Sequence, residues 1–81
     1  MRNAIDLHAV VALLEDMLTR HFETGPPILL RRGQNGTVVM AYDGTAYEVE
    51  FADRDGHPSA LLSVSTDKLI LLHDAPEHIA A

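Results

Sequence analysis

The chain has 81 residues, with six basic residues against twelve acidic ones and a formal net charge of −6. This balance argues against binding to the phosphate backbone of a nucleic acid, which needs clustered Lys and Arg. Cysteine is absent, which excludes disulfides and thiolate metal sites. A chain of this length predicts one domain over residues 1–81, with a core at about residues 5–72 and a flexible tail at residues 73–81.

The hydropathy pattern predicts a cytoplasmic protein that does not enter a membrane. No apolar run approaches the roughly 20 residues that a membrane-spanning helix needs. Asp6, His8, Glu15 and Asp16 interrupt the apolar N-terminal segment, and no small-residue cleavage site follows it.

The first segment, Asn3–Glu23, allows two interpretations. Its apolar residues fall near the spacing of an amphipathic helix, but Val10–Leu14 followed by Glu15-Asp16 also reads as a short strand that ends in polar residues. A single hairpin cannot stand alone, so the hairpin described below needs further strands. We therefore predict a strand at Val10–Leu14 and keep the helix as the alternative.

A long excursion follows over Asp16–Arg32. Thr24-Gly25-Pro26-Pro27 breaks regular structure, because two prolines remove two backbone donors. We expect a helical turn around Met17–His21, with Phe22 and Ile28–Leu30 returning to the core. Loops this long are usually functional or ordered by their own apolar residues.

The clearest element is a hairpin, with strands at Gly36–Tyr42 and Thr45–Ala52 and a turn at Asp43-Gly44. This dipeptide is typical of a type I′ turn. A two-residue loop pairs Tyr42 with Thr45, Met40 with Tyr47 and Val38 with Val49. One face then carries the core residues Val38, Met40, Tyr47, Val49 and Phe51, and the other carries Thr37, Val39, Ala41, Glu48 and Glu50.

The rest of the chain predicts two more strands. A polar turn at Ala52–Pro58 leads to a strand at Ser59–Val64. A short turn begins at Ser65-Thr66-Asp67, and Leu69–Leu72 forms the last strand. Together these elements predict an all-β fold: a small SH3-like five-stranded barrel with a long first loop and a short 3₁₀ turn before the last strand.

Several segments resemble a known family. They are Val10–Asp16 (VVALLED), Leu30–Val39 (LRRGQNGTVV), Ala46–Asp53 (AYEVEFAD), Ala60-Leu61-Leu62 and Thr66–Leu72. They are similar to small bacterial proteins of domain of unknown function 4926, over about residues 5–72. The resemblance implies the fold and no catalytic residues. Relative to typical members, Leu18–Ile28 reads as an expanded loop.

Four carboxylates form the candidate partner-binding surface. Glu48 and Glu50 lie about 7 Å apart on one predicted strand face, and Asp53 and Asp55 continue into the adjoining turn. Alternating Glu is typical of a half-solvated strand, so we predict no catalytic role for the pair. The run Asp53–Gly56 is interpreted as a turn, because the twelve-residue calcium pattern that ends in Glu is missing.

The remaining polar residues predict no metal site, no cofactor site and no catalytic residue. The histidines show no i, i+4 pair and no HxH spacing, which favours surface or loop positions; they are His8, His21, His57, His73 and His78. Arg31-Arg32 is interpreted as a solvated pair beside a turn. Tyr42 and Tyr47 form a poor aromatic platform, because Tyr47 is predicted to face inward.

These features predict a non-catalytic protein-interaction module rather than an enzyme. In this hypothesis an antitoxin, immunity-type or accessory protein binds a basic partner that is encoded nearby. The alternative is a KOW-like barrel that binds nucleic acid or a ribosomal surface, because Gly33–Val38 resembles the glycine turn of such barrels. A turn glycine is also required by backbone geometry alone, and the acidic charge argues against this alternative.

Overall fold

The computed structural model describes residues 5–21 and 24–73. Of the predicted tail at residues 73–81, His73 belongs to the last strand and residues 74–81 lie outside the described residues. The described residues form strands β1 (Val10–Leu13), β2 (Met17–Arg20), β3 (Pro27–Leu30), β4 (Asn35–Tyr42), β5 (Ala46–Ala52) and β6 (Pro58–Ser65), a 3₁₀ turn (Thr66–Lys68) and strand β7 (Leu69–His73). The all-β prediction is confirmed. Among the described residues, no helix has the length and apolar character to span a membrane.

The strands form two antiparallel sheets. The larger has five strands in the order β6-β5-β4-β1-β7, and the smaller pairs β2 with β3. β6 and β7 each have one neighbour in the five-stranded sheet, so the sheets do not close into the predicted barrel. The predicted 3₁₀ turn before the last strand is confirmed.

The strand interpretation of the first segment is confirmed over its described residues. β1 lies between β4 and β7, and its residues Val11, Ala12 and Leu13 are buried although they point to alternating faces. A central strand with both faces covered reads as a continuous apolar run. This burial explains why the sequence of β1 carries no clear period of two.

The predicted helical turn around Met17–His21 is wrong, because this segment enters a hairpin. β2 pairs with β3 from Met17↔Leu30 to Arg20↔Pro27, and the His21 N–H donates to the Pro26 carbonyl over 2.9 Å. Arg20 and Pro27 therefore form a non-hydrogen-bonded pair, to which Pro27 would donate no N–H. Leu30 is buried in the core, and Met17 and Ile28 pack against it. The role predicted for Phe22 lies outside the described residues.

The central hairpin is confirmed with a change of register. Asp43 and Gly44 both have positive φ, +37° and +86°, and the Thr45 N–H donates to the Tyr42 carbonyl, as the predicted turn requires. However, Thr45 stays outside the ladder, so Tyr42 pairs with Ala46. A bulge at Val39 restores the predicted pairing of Val38 with Val49.

The bulge corrects one core residue. Met40 pairs with Glu48 rather than with Tyr47, and its side chain is 51% exposed where the sequence predicted burial. Val38, Tyr47, Val49 and Phe51 are buried as predicted. An extra residue in a strand reverses the faces of the residues beyond it, and here this places Met40 on the outer side.

The core lies on the inner face of the five-stranded sheet. Its side chains come from every strand of that sheet and from β3, and they include Val11, Leu13, Leu30, Val38, Val49, Phe51, Ala60, Val64 and Leu69. Full burial of one such large apolar side chain contributes about 1.5–3 kcal/mol. Packing is tight at Gly36, where an added Cβ would lie 2.5 Å from Val49 Cγ1 and 2.8 Å from Phe51 Cε1.

Candidate functional site

The outer sides of β4, β5 and β6 form a grid of three cross-strand rows. The rows are Tyr42–Ala46–Ser65, Met40–Glu48–Ser63 and Thr37–Glu50–Leu61, and we call these nine residues the β5 outer face. Cross-strand partners share a face. The structure therefore places Glu48 and Glu50 on the outer side of the sheet, as predicted.

The β5 outer face is more apolar, and its carboxylates are less exposed, than the sequence suggested. Tyr42, Met40 and Leu61 are 41%, 51% and 44% exposed, whereas Glu48 and Glu50 are half-buried between their neighbours. The Tyr42 hydroxyl donates to Glu48 Oε1 over 2.9 Å. This hydrogen bond is the main reason that the pKa of the Tyr42 hydroxyl is raised. Two half-shielded carboxylates thus lie among accessible apolar side chains.

The β5–β6 turn positions the other two candidates, and Asp53 organises it. Asp53 Oδ1 accepts the Asp55 N–H over 2.9 Å and the His57 N–H over 3.0 Å. The backbone N–H of Asp53 donates to the His57 carbonyl over 2.8 Å. The His57 N–H is the main reason that the pKa of the Asp53 carboxyl is lowered, and the Asp55 N–H and the charges of His57 and His21 add to it. Asp53 therefore stays ionised and fixed in place.

Asp55 lies beside Asp53 in this turn. The ligand atoms of Asp53, Asp55 and His57 all lie within 4.8 Å of one another, and all three residues are exposed. Exposed acidic groups commonly cluster without binding an ion. We therefore assign no metal to the cluster.

A cleft that the sequence analysis missed lies between the β2–β3 hairpin and the β5–β6 turn. We call it the hairpin cleft; its volume is about 630 Å³, within the range of about 300–1,000 Å³ that ligand pockets occupy. It is lined by His21, Ile28, Leu29, Leu30, Gln34, Ala52, Asp53, Arg54 and Ser59. The buried Ser59 hydroxyl donates to the Phe51 carbonyl over 3.2 Å. These residues come from five separate stretches of the chain, and the sequence analysis could not bring them together without the β2–β3 hairpin.

Arg31 and Arg32, beside the β3–β4 turn, contact the side chain of Asp16. Asp16 Oδ1 accepts the Arg32 backbone N–H over 2.7 Å and lies 4.0 Å from Arg31 Nε. Both arginines are exposed. The contact helps to hold the β3–β4 turn, where Gly33 has a φ of +90° that glycine adopts without strain.

The histidines and tyrosines lie mostly where the sequence placed them. His8, His57 and His73 are exposed and His21 is half-buried, while His78 lies outside the described residues. Tyr47 is buried as predicted, and its hydroxyl accepts the Ile5 N–H over 3.2 Å. Tyr42 and Tyr47 thus do not share an exposed surface.

A family model matches residues 7–71 of the chain, and the family is described as Domain of unknown function (DUF4926). The match covers most of the chain and every strand that the structure describes, apart from the last two residues of β7. No curated protein and no solved structure matches the chain.

Proposed function

The chain belongs to the DUF4926 family, and we propose that it is a non-catalytic protein-interaction module that binds a basic protein partner. In this proposal it acts as an antitoxin, an immunity-type protein or another accessory protein, and its partner is encoded nearby. The proposed binding surface is the β5 outer face, with the turn residues Asp53 and Asp55 at its border.

One observation supports this surface above others. The β5 outer face combines accessible apolar side chains, Met40, Tyr42 and Leu61, with the carboxylates of Glu48 and Glu50. Protein interfaces favour aromatic residues and Met in their cores and satisfied polar groups around them. A partner with apolar and basic residues on one surface is complementary to this pattern.

The overall charge supports the basic character of the partner. A net charge of −6 on 81 residues produces a negative field around the whole protein. Such a field raises the encounter rate with a positively charged partner more than it raises affinity. We further interpret the five-stranded sheet, with its long first connection, as an open variant of the SH3-like arrangement.

Association kinetics test the proposal. The protein is co-expressed with the products of its neighbouring genes, and the product that co-purifies is the partner for kinetic measurements. We expect the double substitution Glu48→Lys/Glu50→Lys to slow association, most strongly at low salt, and Glu48→Gln/Glu50→Gln to have a smaller effect because it changes half as much charge.

Folding serves as the control for these variants. Both glutamates lie on the outer side of the sheet, half-buried and outside the core, and the Tyr42–Glu48 hydrogen bond is exposed, so the unfolding transition should stay close to that of the wild type. An association rate that is unchanged in the Lys variant at every salt concentration would leave these carboxylates with a role in solubility alone. If no neighbouring product binds, the proposal of a nearby partner is wrong.

A further inference from the structure

We propose that the hairpin cleft binds a basic side chain of the partner, an arginine or a lysine, with the Asp53 carboxylate as its counterion. This inference rests on the proposed function, because it identifies a second contact with the same basic partner. The cleft lies at the end of β5, where the chain leaves the β5 outer face and enters the β5–β6 turn.

Asp53 presents a fixed negative charge to the cleft. Its Oδ1 accepts both turn N–H groups, while its Oδ2 accepts no hydrogen bond from any residue that the structure describes. The lowered pKa of this carboxyl keeps it ionised at neutral pH. A carboxylate that its own turn already holds in place pays little entropy when it binds a cation, and this favours the interaction.

The walls of the cleft fit the stem of a long basic side chain. Ile28, Leu29 and Ala52 contribute apolar surface beside Asp53, and Leu29 is 51% exposed. Lysine and arginine side chains cover apolar surface with their methylene groups and keep the charged end in a polar environment. The side-chain oxygen of Gln34 is a further acceptor for an N–H group of the bound residue.

Arg54 and His21 also line the cleft, and the charge of His21 acts on the Asp53 carboxyl, so an anion is the competing ligand. Two features favour a cation. Asp53 is fixed by two hydrogen bonds, whereas Arg54 is exposed and its long side chain can turn away from a bound positive charge. The net charge of −6 also repels anions from the whole protein.

Chemical-shift titration of the ¹⁵N-labelled full chain tests the proposal. The probe is Nα-acetyl-arginine amide, and the matched control is Nα-acetyl-citrulline amide, which has almost the same shape and no charge. We expect the arginine probe to shift the backbone amide signals of Leu29, Asp53, Arg54 and Ser59 in a saturable manner. The citrulline probe should bind at least about tenfold more weakly, because a hydrogen bond to a charged group contributes roughly 1.5–3 kcal/mol.

Two variants separate the charge of Asp53 from its structural role. Asp53→Asn keeps an oxygen acceptor for the turn N–H groups but loses the charge, and it should weaken arginine binding by about tenfold or more. Asp55→Asn removes a charge from the same turn at a residue outside the cleft lining, and it should change binding less than about threefold.

Three results would overturn the proposal. The first is equal binding of the arginine and citrulline probes. The second is that the arginine probe shifts the signals of residues outside the cleft and not those of the cleft. The third is an unchanged affinity for the arginine probe in Asp53→Asn with a native spectrum. If inorganic phosphate shifts the cleft signals and the arginine probe does not, the cleft is an anion site. Any of these results, together with slower association of Glu48→Lys/Glu50→Lys with the partner, would reject the cleft and retain the proposed function. Selective binding of the arginine probe at the cleft, together with an unchanged association rate of Glu48→Lys/Glu50→Lys, would retain the cleft alone.

Discussion

At the scale of single residues, the hairpin register is tested by two valines. Val49 is fully buried, whereas Val39 lies in the bulge and is 37% exposed. We expect Val49→Ala to lower the free energy of unfolding by about 1–3 kcal/mol through lost burial and a residual cavity. Val39→Ala should cost much less. Urea denaturation of both variants provides the measurement, and equal losses at the two positions would contradict the observed faces.

The Asp53 carboxyl predicts a dependence of stability on pH. Its pKa lies below the ordinary value of 3.8, mainly because the His57 N–H stabilises the charged form. A folded-state pKa below that of the unfolded chain gives a contribution that is complete above a pH of about 4 and is lost as the pH falls through the folded pKa. We therefore expect the protein to be less stable at acidic pH, in part because protonation of Asp53 weakens the β5–β6 turn.

Asp53→Asn isolates that contribution. The variant cannot titrate at this position, so its unfolding free energy should fall less than that of the wild type between about pH 5 and pH 2. Asp55→Asn keeps the hydrogen bonds of Asp53 and should follow the wild-type curve. Chemical denaturation at each pH gives the measurement. If the free energies of unfolding of the wild type and Asp53→Asn fall in parallel with pH, the Asp53 carboxylate does not contribute to the pH dependence of stability.

Residue positions were predictable from the sequence where two strands carried the same information. Val38 and Val49 face each other as predicted, because the apolar patterns of both strands agree on that face. The exposure of Met40 was not predictable. Thr45, which stays outside the ladder, shifts the pairing of Met40 by one residue, and the bulge at Val39 reverses that shift before Val38. A two-residue turn signal contains no information about either of these extra residues.

At the scale of elements, proline substitution distinguishes a central strand from an edge strand. Ala12 lies in β1 with β4 on one side and β7 on the other, so its N–H faces a neighbouring strand and not solvent. Leu18 pairs with Leu29 in the two-stranded sheet. The His21 N–H donates to the Pro26 carbonyl, and hydrogen-bonded pairs alternate with non-hydrogen-bonded pairs along an antiparallel ladder, so the Leu18 N–H points away from β3. We expect Ala12→Pro to disrupt the fold and Leu18→Pro to be tolerated far better.

Circular dichroism and thermal unfolding measure both proline variants. The expected result is a large loss of β signal or of thermal stability for Ala12→Pro and a smaller loss for Leu18→Pro. A folded, stable Ala12→Pro protein would contradict a central position for β1. Similar losses in the two variants would show that the β2–β3 hairpin is needed for the fold as much as the five-stranded sheet is.

The β2–β3 hairpin shows why the long excursion was misread. Its strands have four residues each, too few for periodicity to separate a strand from a helical turn. The two prolines suggested a break, yet Pro27 begins β3 at a pair that needs no N–H. The decisive information is the pairing of Met17 with Leu30, which is a contact between distant residues and leaves no local signal.

At the scale of the whole molecule, the candidate surfaces were predictable in unequal measure. Glu48 and Glu50 share the predicted outer face, because strand alternation determines sides without tertiary information. Their half-burial was not predictable, since it depends on neighbours such as Met40 and Leu61 across two strand pairs. The hairpin cleft was beyond prediction, because it requires the β2–β3 hairpin to be placed against the β5–β6 turn.

The charge distribution leads to a last prediction, on nucleic acid. The protein carries a net charge of −6, and two of its described cations lie against carboxylates: Lys68 Nζ is 3.0 Å from Glu15 Oε2, and Arg31 Nε is 4.0 Å from Asp16 Oδ1. Binding through phosphates releases counterions and is strongest at low salt. We therefore expect no mobility shift of single-stranded RNA or duplex DNA at ~50 mM salt.

A basic protein of similar size serves as the positive control for that assay. A shift that weakened steeply as the salt concentration rose would support the KOW-like alternative, because the slope reports the number of phosphates that basic side chains neutralise. The exposed pair Arg31-Arg32, beside the glycine turn, would then be the residues to substitute with Ala. A shift that was insensitive to salt would contradict binding through these arginines, because phosphate contacts must weaken as the salt concentration rises.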